Sequence, residues 1–99
     1  MLSIKKKSSG EYTEVSGSSA EVMMFYCFWQ SHQWPAWAEH SKIGSEGDPA
    51  TMEWKAVIDS IKDGRPLLMM FEKSCDFAAE KMRALGVRVV SVSPVNQKV

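Results

Sequence analysis

The chain is short and electrically balanced. It has 99 residues, of which 12 are basic and 12 acidic, and 44% are hydrophobic. This length and composition predict one globular domain over residues 1–99. Zero net charge argues against a dedicated nucleic-acid binder, because phosphate contacts require a basic excess. The apolar runs are too short to cross a bilayer, and no apolar core follows the N-terminal lysines, so we expect a cytoplasmic protein with no membrane partner.

Residues 1–19 are predicted to form a β-hairpin. Apolar and polar side chains alternate from Leu2 to Lys6, as they do in a half-buried strand. Ser8-Ser9-Gly10 is typical of a turn, and Glu11 to Val15 can pair back onto the first strand. Lysines on the first strand suit an exposed sheet edge, where charge discourages the addition of another chain.

The apolar run from Val22 to Trp29 permits two interpretations. Ser18 followed three residues later by Glu21 fits a capping box, which favours a helix. The run is short, rich in aromatic residues and without a polar face, which favours a strand buried on both sides. We predict a strand over residues 21–28 and expect Pro35 to open a separate short helix.

The segment 49–63 is predicted to be a helix. Asp48-Pro49 combines an N-cap side chain with a proline at the first helical position. Apolar residues then recur at helical spacing and form one stripe, namely Trp54, Val57, Ile58 and Ile61. Gly64 is expected to end this helix.

The C-terminal part of the chain alternates strand, helix and strand. We predict a buried strand over residues 66–72, a helix over 75–85 and a strand over 87–93, followed by a frayed tail at 95–99. Parallel strands joined by a helix form a right-handed βαβ unit. The sequence therefore predicts a small single α/β (or α+β) domain with a core over 20–94. Its mixed sheet would contain the N-terminal hairpin and the βαβ unit, with the helices packed on the sheet.

The predicted sheet suggests two candidate catalytic residues. Ligands bind beyond the carboxyl ends of the strands in an open parallel sheet, and that edge would hold both His32 and Cys75. The helix N-terminus and Lys73 would lower the pKa of the Cys75 thiol. His32 would then act as base or acid, with Glu72 or Asp76 orienting its ring. The alternative is that Cys75 merely occupies the first turn of the helix.

Cys75-Asp76-Phe77-Ala78 follows a predicted strand and opens a helix, and it resembles the Cys-Gly-Phe-Ser motif of the monothiol glutaredoxins. Gly86-Val87 resembles the turn into their next strand. The resemblance covers Pro66 to Val92 and does not extend to the half that completes a glutathione site. It implies a βαβ layout with a thiol at the helix start. A thiol-dependent redox or transferase protein is accordingly the alternative function.

A tryptophan-rich segment offers a different kind of site. Residues 30–37 are polar but include Trp34 and Trp37, and tryptophan is enriched at binding hot spots between proteins. Together with His32 and Lys73, these two residues form the candidate binding surface. Alternatively, both indoles fold down to cover the open end of a small sheet, because small domains bury a modest share of their surface.

The leading interpretation is a small non-enzymatic binding or regulatory protein. It would use the tryptophan-rich loop to contact a protein partner or a second copy of itself, although the thiol alternative leaves enzymatic activity open. We predict no cofactor and no metal, because Cys27, His32, His40 and Cys75 match no zinc-site spacing. Cys27 lies in the apolar run and is expected to be a small core residue.

Overall fold

The structure is a computed structural model that describes residues 1–6, 12–38 and 49–92. The turn predicted at Ser8-Ser9-Gly10 and the frayed tail predicted at 95–99 lie outside the described residues, as do His40 and Asp48.

Four strands form one mixed sheet in the order β3-β2-β1-β4. β1 (Leu2–Lys6) and β2 (Thr13–Ser16) pair antiparallel, so the predicted hairpin is confirmed. β3 (Leu67–Met69) adds antiparallel to β2, and β4 (Val89–Val92) adds parallel to β1. β3 and β4 therefore point the same way, and the hairpin is inserted between the two outer strands of the βαβ unit. β1 is thus an inner strand, paired on both sides, so the expectation that its lysines lie at an exposed sheet edge was wrong.

Three helices complete the described part of the fold. They are α1 (Ser19–Ala38), α2 (Pro49–Lys62) and α3 (Glu72–Ala84). α1 packs mainly against α3, and α2 contacts both α1 and β3. The predicted fold class, a small α/β domain with a mixed sheet and an N-terminal hairpin, is confirmed.

The main correction concerns Val22 to Trp29, which is helical and not a strand. Pro35 likewise lies inside α1 and does not open a separate helix. The capping box that favoured a helix is formed at the start of α1. The Glu21 backbone N–H donates to Ser18 Oγ at 3.2 Å, and the Ser18 backbone N–H donates to Glu21 Oε1 at 3.2 Å. The run has no polar face because α1 carries apolar side chains on both of its sides.

The other elements lie close to their predicted positions. α2 matches the helix predicted at 49–63. β3 is shorter than the strand predicted at 66–72, and it lies at the edge of the sheet. Leu68 on this strand is 60% exposed, so one face of β3 is open to solvent and the strand is not buried on both sides. α3 begins before residue 75 because the carbonyl of Phe71 already accepts the N–H groups of the first helical turn.

The core lies between one face of the sheet and the helices, in two packed layers. Alternate strand residues point into it, since side chains of a strand face opposite sides in turn. The sheet contributes Leu2, Ile4, Val15, Leu67 and Met69. The helices contribute Val22, Phe25, Tyr26 and Trp29 from α1, Val57 from α2, and Cys75, Ala78, Ala79 and Met82 from α3. Within the described segments, none of the helices is long and apolar enough to cross a membrane.

Candidate functional site

Cys75 belongs to the core and does not face solvent. Its side chain is 2% exposed, and its Sγ lies 3.5 Å from the carbonyl oxygen of Met70. Its backbone N–H donates to the carbonyl of Phe71, so the unpaired N–H groups of the helix start precede it. Burial raises the pKa of the Cys75 thiol to about 11, which is opposite to the predicted lowering. The geometry therefore does not favour a thiolate nucleophile.

His32 contacts the residue before Cys75 in the chain. Its Nδ1 lies 2.7 Å from Ser74 Oγ, and the Ser74 hydroxyl donates to Gln33 Oε1 at 2.8 Å. Because the hydroxyl has a single proton, the His32 Nδ1–H is the donor to Ser74. The centroid of the His32 ring also lies 4.8 Å from the centroid of the Phe77 ring. Ser74 is buried, so these contacts join α1 to α3 and do not present an accessible serine nucleophile.

The acidic residues predicted to orient His32 face a lysine of the sheet. Lys6 Nζ lies 3.6 Å from a carboxylate oxygen of Glu72 and 3.5 Å from one of Asp76. Lys6 and Asp76 line a cleft of about 370 Å³ between α3 and the sheet, and Cys75 is also part of its lining. Lys73 is exposed on the first turn of α3. In the part of the chain that is described, no group of three His, Cys, Asp or Glu side chains is placed to hold a metal ion.

The tryptophans have different environments. Trp29 is fully buried, and its Nε1–H donates to the carbonyl of Met70 at 2.9 Å. Trp34 is 38% exposed, and Trp54 of α2 is exposed to a similar degree. Trp37 lies near the end of α1, and its side chain is outside the described residues. The predicted tryptophan-rich loop is thus the C-terminal half of a helix, and Trp34 presents its indole on the solvent side.

Trp34 ends a row of solvent-facing residues on α1 that the sequence analysis missed. We call this row the outer stripe; its members are Met24, Cys27, Ser31 and Trp34. They lie three, four and three residues apart, so they share one side of the helix. Met24 is 40% exposed and Cys27 is exposed, so the expectation that Cys27 is a core residue was wrong. The Ser18–Glu21 capping box was the sequence signal from which this stripe could have been found.

The outer stripe contains a shallow depression and no charge. The depression measures about 340 Å³ and is lined by Cys27, Gln30, Ser31 and Trp34. Residues 22–38 include no Asp, Glu, Lys or Arg. A helix on the surface of a globular protein ordinarily carries charged and polar residues opposite its buried face. The outer side of α1 is exposed and yet has no charged residue over residues 22–38.

Comparison of the chain with protein-family models, with curated proteins and with solved structures finds no match. The resemblance to glutaredoxins is therefore limited to the residues of 66–92 that suggested it. The fold and the site define a small α/β domain with a mixed sheet and an uncharged, exposed helix face.

Proposed function

We propose that this chain is a small binding protein that contacts a protein partner through the outer stripe of α1. One observation carries the proposal: exposed Met24 and Trp34 lie on a 20-residue helix whose residues 22–38 include no Asp, Glu, Lys or Arg. Removing such a face from water is favourable by roughly 25 cal/mol for each Å² of apolar surface. Aromatic residues and methionine are enriched, and charged residues depleted, in the cores of protein interfaces.

The composition of the outer stripe favours protein over other partners. A nucleic-acid surface needs lysine or arginine to neutralise phosphates, and residues 22–38 supply neither. A thiol enzyme needs a stabilised thiolate, whereas burial raises the pKa of Cys75. His32 and Lys73 are exposed near the junction of α1 and α3, and we assign them to the polar border of the binding surface.

Site-specific photo-crosslinking in living cells that produce the protein tests this proposal. p-Benzoylphenylalanine replaces Trp34 in one variant and Leu85 in the control variant. Leu85 is also an exposed large apolar residue, but it lies just beyond α3. We expect a discrete crosslinked protein from position 34 and none from position 85. Adding Met24→Lys to the position-34 variant should abolish its crosslinked product, because the lysine places a charge within the outer stripe.

The mass of the crosslinked product identifies the kind of partner. A product of twice the chain mass indicates a second copy, and any other discrete mass indicates a different protein. Equal, diffuse labelling from positions 34 and 85 would contradict the proposed function, because the outer stripe would then contact other proteins no more than an unrelated exposed site does.

A further inference from the structure

We infer that the protein partner is a second copy of this chain, and that two α1 helices pair antiparallel through their outer stripes. The two-fold axis crosses the stripe between Cys27 and Ser31, at the level of position 29 along the helix. This inference rests on the proposed function of the outer stripe and names its partner. Three features of the stripe support it, namely the order of its side-chain sizes, the shape of its depression and its lack of charge.

The side chains of the outer stripe are ordered symmetrically about residue 29. An antiparallel pair with its axis there places position 24 opposite 34 and position 27 opposite 31. Large Met24 then meets large Trp34 of the second copy, and small Cys27 meets small Ser31 of the second copy. The spacing of three, four and three residues is the spacing of the contact seam between paired helices. A face that pairs with itself in this way forms an isologous two-fold interface.

The depression on α1 has the outline that helix pairing requires. Its four lining residues are one helical neighbourhood, at positions i, i+3, i+4 and i+7, namely Cys27, Gln30, Ser31 and Trp34. In paired helices each side chain of the seam inserts into a hole formed by four residues of the facing helix. In the antiparallel arrangement, Cys27 of the second copy enters this depression. The small Cys27 and Ser31 let the helix axes approach closely at the centre.

The charge distribution permits the same face to meet itself. Across a two-fold axis, a charged side chain near the axis meets its own copy, and like charges at short range repel. The outer stripe consists of uncharged residues, and the whole chain has zero formal net charge. Neither local nor overall repulsion therefore opposes the pairing.

The size of the stripe indicates a weak and reversible dimer. A standard protein interface uses about 20–30 residues on each side. Here four side chains of one helix form the centre, and Met24 and Trp34 are already partly covered by their own chain. We therefore expect the dimer fraction to depend on protein concentration.

Disulfide trapping tests both the partner and the direction of the helices. The variant Ser31→Cys places a thiol opposite Cys27 of the second copy. Unmodified Cys27 and its copy are offset by about 6 Å along the helices, at 1.5 Å per residue, which disfavours a direct bond. The control Lys55→Cys has its added thiol on an exposed position of α2. Each purified protein is oxidised with diamide, and the linked peptides are identified by mass spectrometry.

We expect Ser31→Cys to give about tenfold more covalent dimer than Lys55→Cys or the unmodified chain, with Cys27 linked to position 31. A predominant Cys27–Cys27 linkage would overturn the antiparallel arrangement. A dimer yield from Ser31→Cys no higher than that from Lys55→Cys would overturn the second copy as partner. In that case, a crosslink from position 34 to another protein would leave the proposed protein-binding function intact. If no such crosslink formed either, both the proposed function and the dimer would be overturned.

Discussion

The two sides of α1 have nearly the same chemistry and opposite environments. The inner side is buried in the core, and the outer side is exposed. The inner side consists of Val22, Phe25, Tyr26 and Trp29, and the outer side of Met24, Cys27, Ser31 and Trp34. Each set recurs at helical spacing, and neither includes a charged residue. The difference therefore lies in what packs against each side, and the exposed, uncharged side is the one that we propose a partner covers.

The largest expected effect separates two tryptophans on opposite sides of α1. Trp29→Ala should lower the free energy of unfolding by about 3–5 kcal/mol, because it removes a fully buried ring and its hydrogen bond to Met70. Trp34→Ala should cost less than about 1 kcal/mol in dilute solution, since its ring is partly exposed. Urea unfolding of both variants measures these two losses in the free energy of unfolding. Similar losses for both would mean that Trp34 belongs to the fold of the single chain and not to an interface.

The two cysteines extend the comparison to ionisation. The pKa of Cys75 is raised by burial from its ordinary 9.0 to about 11, so the unfolded chain loses this proton first as the pH rises. Cys75 therefore contributes stability that is complete below pH 9 and is lost as the pH rises towards 11. From pH 8 to pH 10.5, unmodified protein should lose about 2 kcal/mol more than Cys75→Ala does.

Urea unfolding at the two pH values measures this difference. The comparison with Cys75→Ala removes the alkaline contribution of Tyr26, whose pKa is also raised by burial, because both proteins retain that residue. A stability that rises with pH relative to Cys75→Ala would indicate a stabilised thiolate and revive the thiol enzyme. Exposed Cys27 should react with iodoacetamide in the folded state, while Cys75 should react after unfolding.

Charge placed on the outer side of α1 should change association and not folding. Met24→Lys should weaken the dimer by more than about tenfold, equivalent to 1.4 kcal/mol, because each copy would bring a charge into the seam. Leu85→Lys is the matched control, since Leu85 is exposed beyond α3, where a cation is tolerated near a helix C-terminus. Sedimentation equilibrium over a range of protein concentrations measures the dimer dissociation constant of each variant. If the two variants associate equally, the stripe is not the dimer interface.

The same comparison explains how much of the fold is predictable. α2 is predictable because Asp48-Pro49 signals a helix start in the sequence and apolar residues recur at helical spacing. Val57 of that stripe is buried and Ile61 packs on the core, whereas Trp54 is exposed. α1 was missed because both its sides are apolar, so periodicity cannot distinguish a helix from a doubly buried strand. The hairpin was predictable from alternation in Leu2 to Lys6, since one face of β1 is covered and the other is less buried.

The candidate site was less predictable because it depended on topology. The shared strand edge required a strand at 21–28, and with that segment helical the edge does not form. His32 still comes close to the start of α3, but through packing of α1 against α3. Cys75 is buried in the core and lines a cleft together with Ile4 and Lys6 of β1, and no local pattern around Cys75 encodes these long-range neighbours.

The smallest expected effect concerns the signal that did encode α1. Ser18→Ala should cost about 1 kcal/mol of unfolding free energy, because it removes the side-chain oxygen that accepts the Glu21 N–H. Ser19→Ala is the matched control, as Ser19 is exposed at the first helical position, where alanine is well tolerated. Urea unfolding of the two variants compares neighbouring serines with different roles. Glu21 also binds the amino group of Met1 at 2.8 Å, and that contact persists in both variants. Equal stabilities would mean that the capping box marks the start of the helix without stabilising it.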